Sequence, residues 1–154
     1  MFKAICDKVV EKEIEWINSN EIKDFISDKD ISEGDLYDSL EILSNNYLIE
    51  GSVEYGGRIE FFKLTTFGFE IFAKYFFPEY EEITRKVLIS IVNESSSSNS
   101  ELSEELNTTR ILIDFALDSL ELLGYCKLSK TVGGNVGVHS ISIEAKRLAG
   151  ELSD

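Results

Sequence analysis

Apolar positions along this chain recur with two periods, one helical and one extended, and the two alternate in the same order twice. Val9, Val10, Ile14, Trp16 and Ile17 recur at roughly helical spacing and predict a helix over 7–18, and Ile22, Phe25 and Ile26 a short one over 21–27. Ser32, with Asp35 three residues on, resembles a capping box, and Leu36, Leu40 and Leu43 at i, i+4 and i+7 form one buried stripe. Asn45-Asn46 ends that helix. Residues 47–54, rich in Tyr, Ile and Val, then read as a strand. Gly56-Gly57 supplies the positive φ angles of a tight hairpin, and 59–64 is the returning strand. Thr65 or Thr66 caps a fourth helix to about Phe76, closed off by Pro78.

The second half repeats the order. Ile83, Val87, Leu88, Ile91 and Val92 mark a helix over 79–93, and residues 95–100 are a polar, linker-like loop. Ser98 with Glu101 is a capping-box pattern for a helix through Leu106. Thr108 can cap the next helix, with Ile113, Leu117, Leu120 and Leu123 as its stripe and Gly124 as its stop. Strands over 125–131 and 138–143 flank Gly133-Gly134-Asn135-Val136-Gly137, and a helix over 144–152 follows. The echo is literal in places: Asp38-Ser39-Leu40-Glu41-Ile42-Leu43 returns about 80 positions later as Asp118-Ser119-Leu120-Glu121-Leu122-Leu123. Two domains are therefore expected, 1–78 and 79–154.

Three helices, a glycine-tipped hairpin and a last helix, in that order, resemble a winged helix-turn-helix domain. The sharpest match is Leu40 to Leu43, then Tyr47-Leu48-Ile49, Gly56-Gly57 and Leu64-Thr65-Thr66-Phe67-Gly68, similar to a run common in prokaryotic winged-helix transcriptional regulators. The second copy follows through Leu123-Gly124-Tyr125-Cys126 and its glycines, then departs, because Ile141-Ser142-Ile143 lacks the Leu-Thr entry to the last helix. The resemblance implies a mainly α fold with small β-hairpins (α+β), built as two tandem winged-helix domains. In a DNA-binding member, 35–45 and 109–122 would enter the major groove.

Charge complicates that expectation. The chain carries 29 acids against 15 bases, a net charge of −14 and a pI of about 4.5, and both halves are acidic. DNA affinity comes largely from neutralising phosphates. Between Lys29 and Arg58 there is no base, while Asp35, Asp38 and Glu41 crowd the first recognition-type helix. In the second, Arg110 precedes Asp114, Asp118 and Glu121. The candidate nucleic-acid contacts are Arg110, Lys127, Lys130 and Arg58, and the DNA reading is weak or partner-dependent contact, mainly through the second domain. The alternative is a protein-interaction module, similar to acidic tandem winged-helix subunits of chromosome-segregation and sorting complexes, in which Asp35, Asp38, Glu41 and Asp118 bind a basic partner.

The fourth helix is apolar nearly all round: of residues 67–77 only Gly68, Glu70 and Lys74 are left to face water. Phe69, Phe72, Phe76 and Tyr80 are its candidate interface anchors, either as a homodimer seam or as a core bridge between the halves. Catalytic chemistry finds no support. His139 shares parity with Ile141 and Ile143 and reads as a half-buried structural imidazole. Cys6 and Cys126 match no metal or redox spacing, and the glycine run lacks the context of a phosphate loop. The expectation is a non-enzymatic protein without cofactor or metal. With no apolar run near the ~18 residues that cross a membrane, it is read as soluble and cytoplasmic.

Overall fold

The computed structural model describes residues 1–26, 30–53, 56–93 and 96–153. The protein is α+β, and its chain divides into two compact units, Met1–Phe76 and Phe77–Asp154.

The first unit begins with α1 (Phe2–Lys12), which buries Ile5, Cys6 and Val9. The helix does not reach residue 18 as its spacing suggested. Glu13 turns left-handed at φ 52 and ends it. Beyond that point Trp16 is exposed and Ile17 buried, the alternation of a strand. Ile17 and Asn18 form β1, antiparallel to Phe62 and Phe61. The expected helix over 21–27 is a 3-10 helix, Ser19–Asp24, whose start is capped by the Asn18 side chain accepting the Asn20 N–H at 2.9 Å. Ser27 lies outside the described residues.

Ser32 caps α2 (Glu33–Asn45), accepting the Asp35 N–H at 3.1 Å. Asp35 is one methylene shorter than the Glu of a full capping box, and its carboxylate instead accepts the Ser32 hydroxyl at 2.6 Å. Leu36 and Leu40 are buried and Leu43 half-buried. The helix closes in a Schellman turn, with Tyr47 N–H donating to Ser44 and Leu48 N–H to Leu43. Tyr47 therefore sits at φ 58 rather than in the strand. That strand, β2, is Ile49–Val53; Glu54 lies outside the described residues. Gly56 and Gly57 have φ of 117 and 80, and β3 (Ile59–Leu64) returns as the centre of a three-stranded sheet ordered β1-β3-β2. Thr65 then caps α3 (Thr66–Phe76) by accepting the Gly68 N–H at 2.9 Å. Gly68 is buried, not water-facing: a Cβ there would lie 2.1 Å from the Leu48 carbonyl oxygen.

The second unit runs α4 (Glu79–Val92), α5 (Asn99–Glu105), α6 (Arg110–Leu122), β4 (Cys126–Lys130), β5 (Val136–Ile141) and α7 (Ile143–Ser153). The serine-rich stretch is more than a linker. Ser98 bridges to Gly137, the Val138 N–H donates to the Ser97 carbonyl at 2.7 Å, and Ser96 and Asn99 are buried; Ser95 lies outside the described residues. Here the capping box is complete, because Glu101 reaches back to the Ser98 N–H at 3.1 Å and also takes the Ser97 N–H at 2.8 Å.

Three further expectations shift. Thr109, not Thr108, stands at the start of α6, and its hydroxyl is buried with no hydrogen-bond partner among the described residues. Leu123 is exposed, so the buried stripe ends at Leu120. The last helix does have a polar entry: Ser142 accepts the Ala145 N–H at 3.1 Å, as Thr65 does for Gly68.

These positions set the register of the internal repeat. Helices α2 and α6 are both 13 residues long, and Glu33 to Arg110 and Asn45 to Leu122 are each 77 positions apart. The literal echo, Leu40 to Leu120, spans 80 and is thus offset by nearly one helical turn. Leu43 corresponds to Leu120, and Tyr47 to Gly124, which ends α6 in the same Schellman turn at φ 77.

Candidate functional site

In each unit the helix before the hairpin and the hairpin itself form the face where the sequence places its candidate residues. In the first unit α2 and the β2–β3 hairpin enclose a cleft of about 380 Å³, lined on the helix by Tyr37, Asp38 and Glu41 and on the hairpin by Val53, Arg58 and Ile59. Arg58 is folded back onto the helix. Its guanidinium donates to Glu33 at 2.9 Å and lies 4.8 Å from the centre of the Tyr37 ring. Asp35 is occupied by Ser32. Asp38 and Glu41 are exposed and bonded to no other residue among those described, and Ile42 beside them is 61% exposed. The site thus offers free carboxylates next to free apolar surface.

The second unit uses its acids differently. Asp114 accepts the Asn99 side-chain amide at 2.6 Å, Asp118 accepts Lys130 at 2.6 Å, and Glu121 accepts the Leu128 N–H at 2.7 Å. These acids, at i, i+4 and i+7, make one ridge of α6 that fastens the hairpin and the connector to the helix. Arg110 donates to the Gly134 carbonyl and, at 3.1 Å, to the Asn135 side chain. Partial burial opposes the charge on Lys130, yet its bond to Asp118 and the further charges of Glu121 and Asp114 raise its pKa above the usual lysine value. Asp118, proposed as part of an acidic docking face, is therefore engaged within the unit. Of the four candidate nucleic-acid contacts, Arg58, Arg110 and Lys130 are each held by a partner in their own unit. Lys127 is exposed and has no ion pair among the described residues.

Sequence reasoning missed two buried polar residues that organise these faces. Ser19 donates its hydroxyl toward the carbonyls of Ile59 and Glu60, the latter at 2.6 Å. Asn99 donates to Asp114 and to the Gly134 carbonyl, and accepts the Val136 N–H at 3.2 Å. Each directly follows the residue that pairs with the returning strand, Asn18 or Ser98. A small polar residue one step inside a helix start was the only signal.

Of the four aromatic anchors, Phe69, Phe72 and Tyr80 are buried, and the Tyr80 hydroxyl lies 3.1 Å from that of Ser119. Only Phe76 is exposed. The exposed ridge of α3 is instead Phe67, Ile71 and Tyr75, at i, i+4 and i+8, with Phe67 51% and Tyr75 69% accessible. His139 is exposed, because it is the extra residue of a β-bulge: Lys127 pairs with Ser140 and Leu128 with Val138, which breaks the assumed parity. Both cysteines are free, buried thiols. Burial, with a smaller contribution from the Asp7 charge, pushes Cys6 up to about 12. Burial and the charges of Glu121 and Asp118 push Cys126 up to about 11. Neither is poised as a nucleophile. Among the described residues no group of three or more His, Cys, Asp or Glu is placed to hold a metal, and no helix is long and apolar enough to cross a membrane.

No protein-family model matches this chain, and no curated protein matches it.

Proposed function

We propose that this chain is a non-enzymatic protein-interaction module made of two winged-helix units, the first of which binds a basic partner. The observation that carries this reading is the unequal use of charge on the two helix–hairpin faces. Arg58, Arg110 and Lys130, which a duplex would need, are engaged within their own units, while Asp38 and Glu41, beside exposed Ile42, have no partner among the described residues. Freeing the three cations for phosphate would give up internal hydrogen bonds, and a phosphate backbone approaching α2 would meet like charge. A partner bearing Lys or Arg beside an aliphatic side chain meets the complementary arrangement. We further infer that the chain pairs with a second copy through Phe67, Ile71 and Tyr75.

Titration of the full chain with a fluorescent Lys/Leu peptide, and separately with a random 20–30 base-pair duplex at low salt, tests the reading. Saturable peptide binding that weakens with salt and is lost in Asp38→Lys, Glu41→Lys is expected, with no duplex shift. A duplex shift that fades with salt and weakens in Lys127→Ala would instead support the regulator-type, DNA-contacting reading. For the dimer, light scattering is expected to give twice the chain mass, and the monomer mass in Ile71→Glu.

A further inference from the structure

The second unit contains a cleft of about 300 Å³ between the end of α4, the 96–97 connector, β5 and α7. Its position is informative because the first unit fills the equivalent place. Phe62 and Val138 occupy matching ladder positions, opposite Gly51 and Leu128, and each is joined on its other side by Ile17 or Ser97. One residue earlier, Trp16 of the first unit corresponds to Ser96 of the second. Trp16 packs beside Lys63, whose ammonium is 5.2 Å from the ring centre; Ser140, the match of Lys63, faces open space in the cleft. The capping pair Thr65 and Ser142 likewise matches fully buried Phe69 with Lys146. Two large aromatic side chains have thus become a serine and a lysine.

What lines the resulting space has a definite chemistry. Ile91, Val138 and Ile141 supply aliphatic surface, and His139, Ser140 and Lys146 supply hydrogen-bond donors, one of them cationic. His139 lines the cleft because the bulge displaces it from the ladder, the device by which strands redirect a side chain. Lys146 makes no ion pair among the described residues. Among the described residues no acid lines the cleft. Glu105 nearby is bonded to the hydroxyls of Ser90 at 2.8 Å and Ser96 at 2.5 Å, and Glu101 to the N–H groups of Ser97 and Ser98. In a chain of net charge −14, a cleft whose described wall carries a lysine without an ion pair and no carboxylate selects for anions. Its size falls at the lower end for small-molecule sites.

We propose that this cleft binds a small organic carboxylate, with the anionic group on Lys146, His139 and Ser140 and a ring-sized apolar body on Ile91, Val138 and Ile141. The aliphatic surface separates this ligand class from inorganic anions, which need only donors. The site belongs to the second unit alone, so it stands or falls separately from binding of a basic partner by the first.

Amide chemical-shift titration of the full chain with benzoate, benzamide and inorganic phosphate tests it. Benzoate is expected to give saturable shifts centred on Ser97, His139, Ser140 and Lys146, and to bind at least tenfold more tightly than either benzamide or phosphate. Lys146→Met should weaken benzoate at least tenfold and leave benzamide unchanged. Ser96→Trp, which restores the filled arrangement, should abolish both; Lys146→Met changes an exposed position and serves even where the tryptophan variant does not fold. Non-saturating shifts, phosphate binding as tightly as benzoate, or equal benzoate affinity in Lys146→Met would each overturn the assignment.

Discussion

In the first unit Asp38 and Glu41 stand on α2 with no bond to any described residue, whereas in the second Asp114, Asp118 and Glu121 on α6 each hold a donor from the connector or the hairpin. The two helices have the same length and the same type of ending, yet one spends its acids on its own architecture and the other presents them. The difference extends to the last helix. In the first unit it packs on Phe69 and Phe72, while in the second the matching positions are Lys146 and Ala149. Where side-chain volume is short, buried hydrogen bonds such as those of Asn99 take over the work of joining elements. Similar backbones are thus reached by a packed route and a polar route, and only the packed route leaves its helix face chemically free.

The sharpest break in this comparison is at Gly68. Its Cβ would meet Leu48 backbone, which cannot move aside, while the matching Ala145 already carries a Cβ in a buried position. Gly68→Ala is expected to destabilise the first unit by about 3 kcal/mol or more, as overpacking against a fixed neighbour does. Ala145→Gly should cost the second about 1–2 kcal/mol, through helix propensity and the loss of one buried methyl. Urea unfolding followed by fluorescence reads the first unit selectively, because Trp16 is the sole tryptophan; circular dichroism reads both. Equal effects at the two sites would remove the distinction between close backbone packing and looser contact.

Asn99 tests the polar route. Asn99→Ala removes a hydrogen bond each from Asp114, Gly134 and Val136, and is expected to cost about 2–3 kcal/mol, since three bonds are lost and the buried Val136 N–H loses its acceptor. Ser19→Ala removes one hydroxyl from two carbonyls and should cost about 1 kcal/mol. A smaller loss at Asn99 than at Ser19 would show that the second unit does not lean on its hydrogen bonds.

The thiols give a pH-dependent version of the same contrast. Unfolding frees Cys6 and Cys126 to ionise near 9, whereas folding holds them protonated up to about 12 and about 11. Above pH 9 the unfolded state binds fewer protons than the folded one, so stability falls as pH rises. For Cys6 the fall continues toward pH 12, with a slope of up to about 1.4 kcal/mol per pH unit; for Cys126 it ends near 11. In alkaline unfolding series, Cys6→Ala is expected to flatten the fluorescence-monitored decline. An unchanged slope would mean that this thiol is not protected.

Element order and most boundaries were legible from local rules. Capping at Ser98 with Glu101, the left-handed glycines at 56–57 and 133–134, and the leucine stripes all rest on neighbours within a few residues. What escaped depends on distant partners. Residues 14–17 are apolar at spacings that suit either period, and only Phe61 and Phe62, more than forty positions on, decide for a strand. The literal Asp-Ser-Leu-Glu echo misled by three residues because a helix tolerates a near-turn slip in its apolar stripe; the two endings, at Tyr47 and Gly124, give the true register. At the candidate site the charges could be counted in the sequence, but their pairing could not. Lys130 and Asp118, twelve positions apart, meet only because the hairpin folds back over α6.

Those two endings also carry the smallest effect. Tyr47 and Gly124 occupy the same left-handed position after their helices, at φ 58 and 77. A side chain there forces Cβ toward the carbonyl oxygen, at about 1 kcal/mol for a residue other than glycine. Tyr47 is 77% exposed, so its ring contributes little packing in return, and the bond from the Thr65 hydroxyl goes to its backbone carbonyl. Tyr47→Gly is therefore expected to stabilise the first unit by about 0.5–1 kcal/mol. A Cβ on Gly124 would meet nothing within 4 Å, so Gly124→Tyr should cost the second unit a similar amount through conformation alone. If urea midpoints show Tyr47→Gly to be destabilising, the exposed ring has a role in this unit that outweighs the strain beneath it.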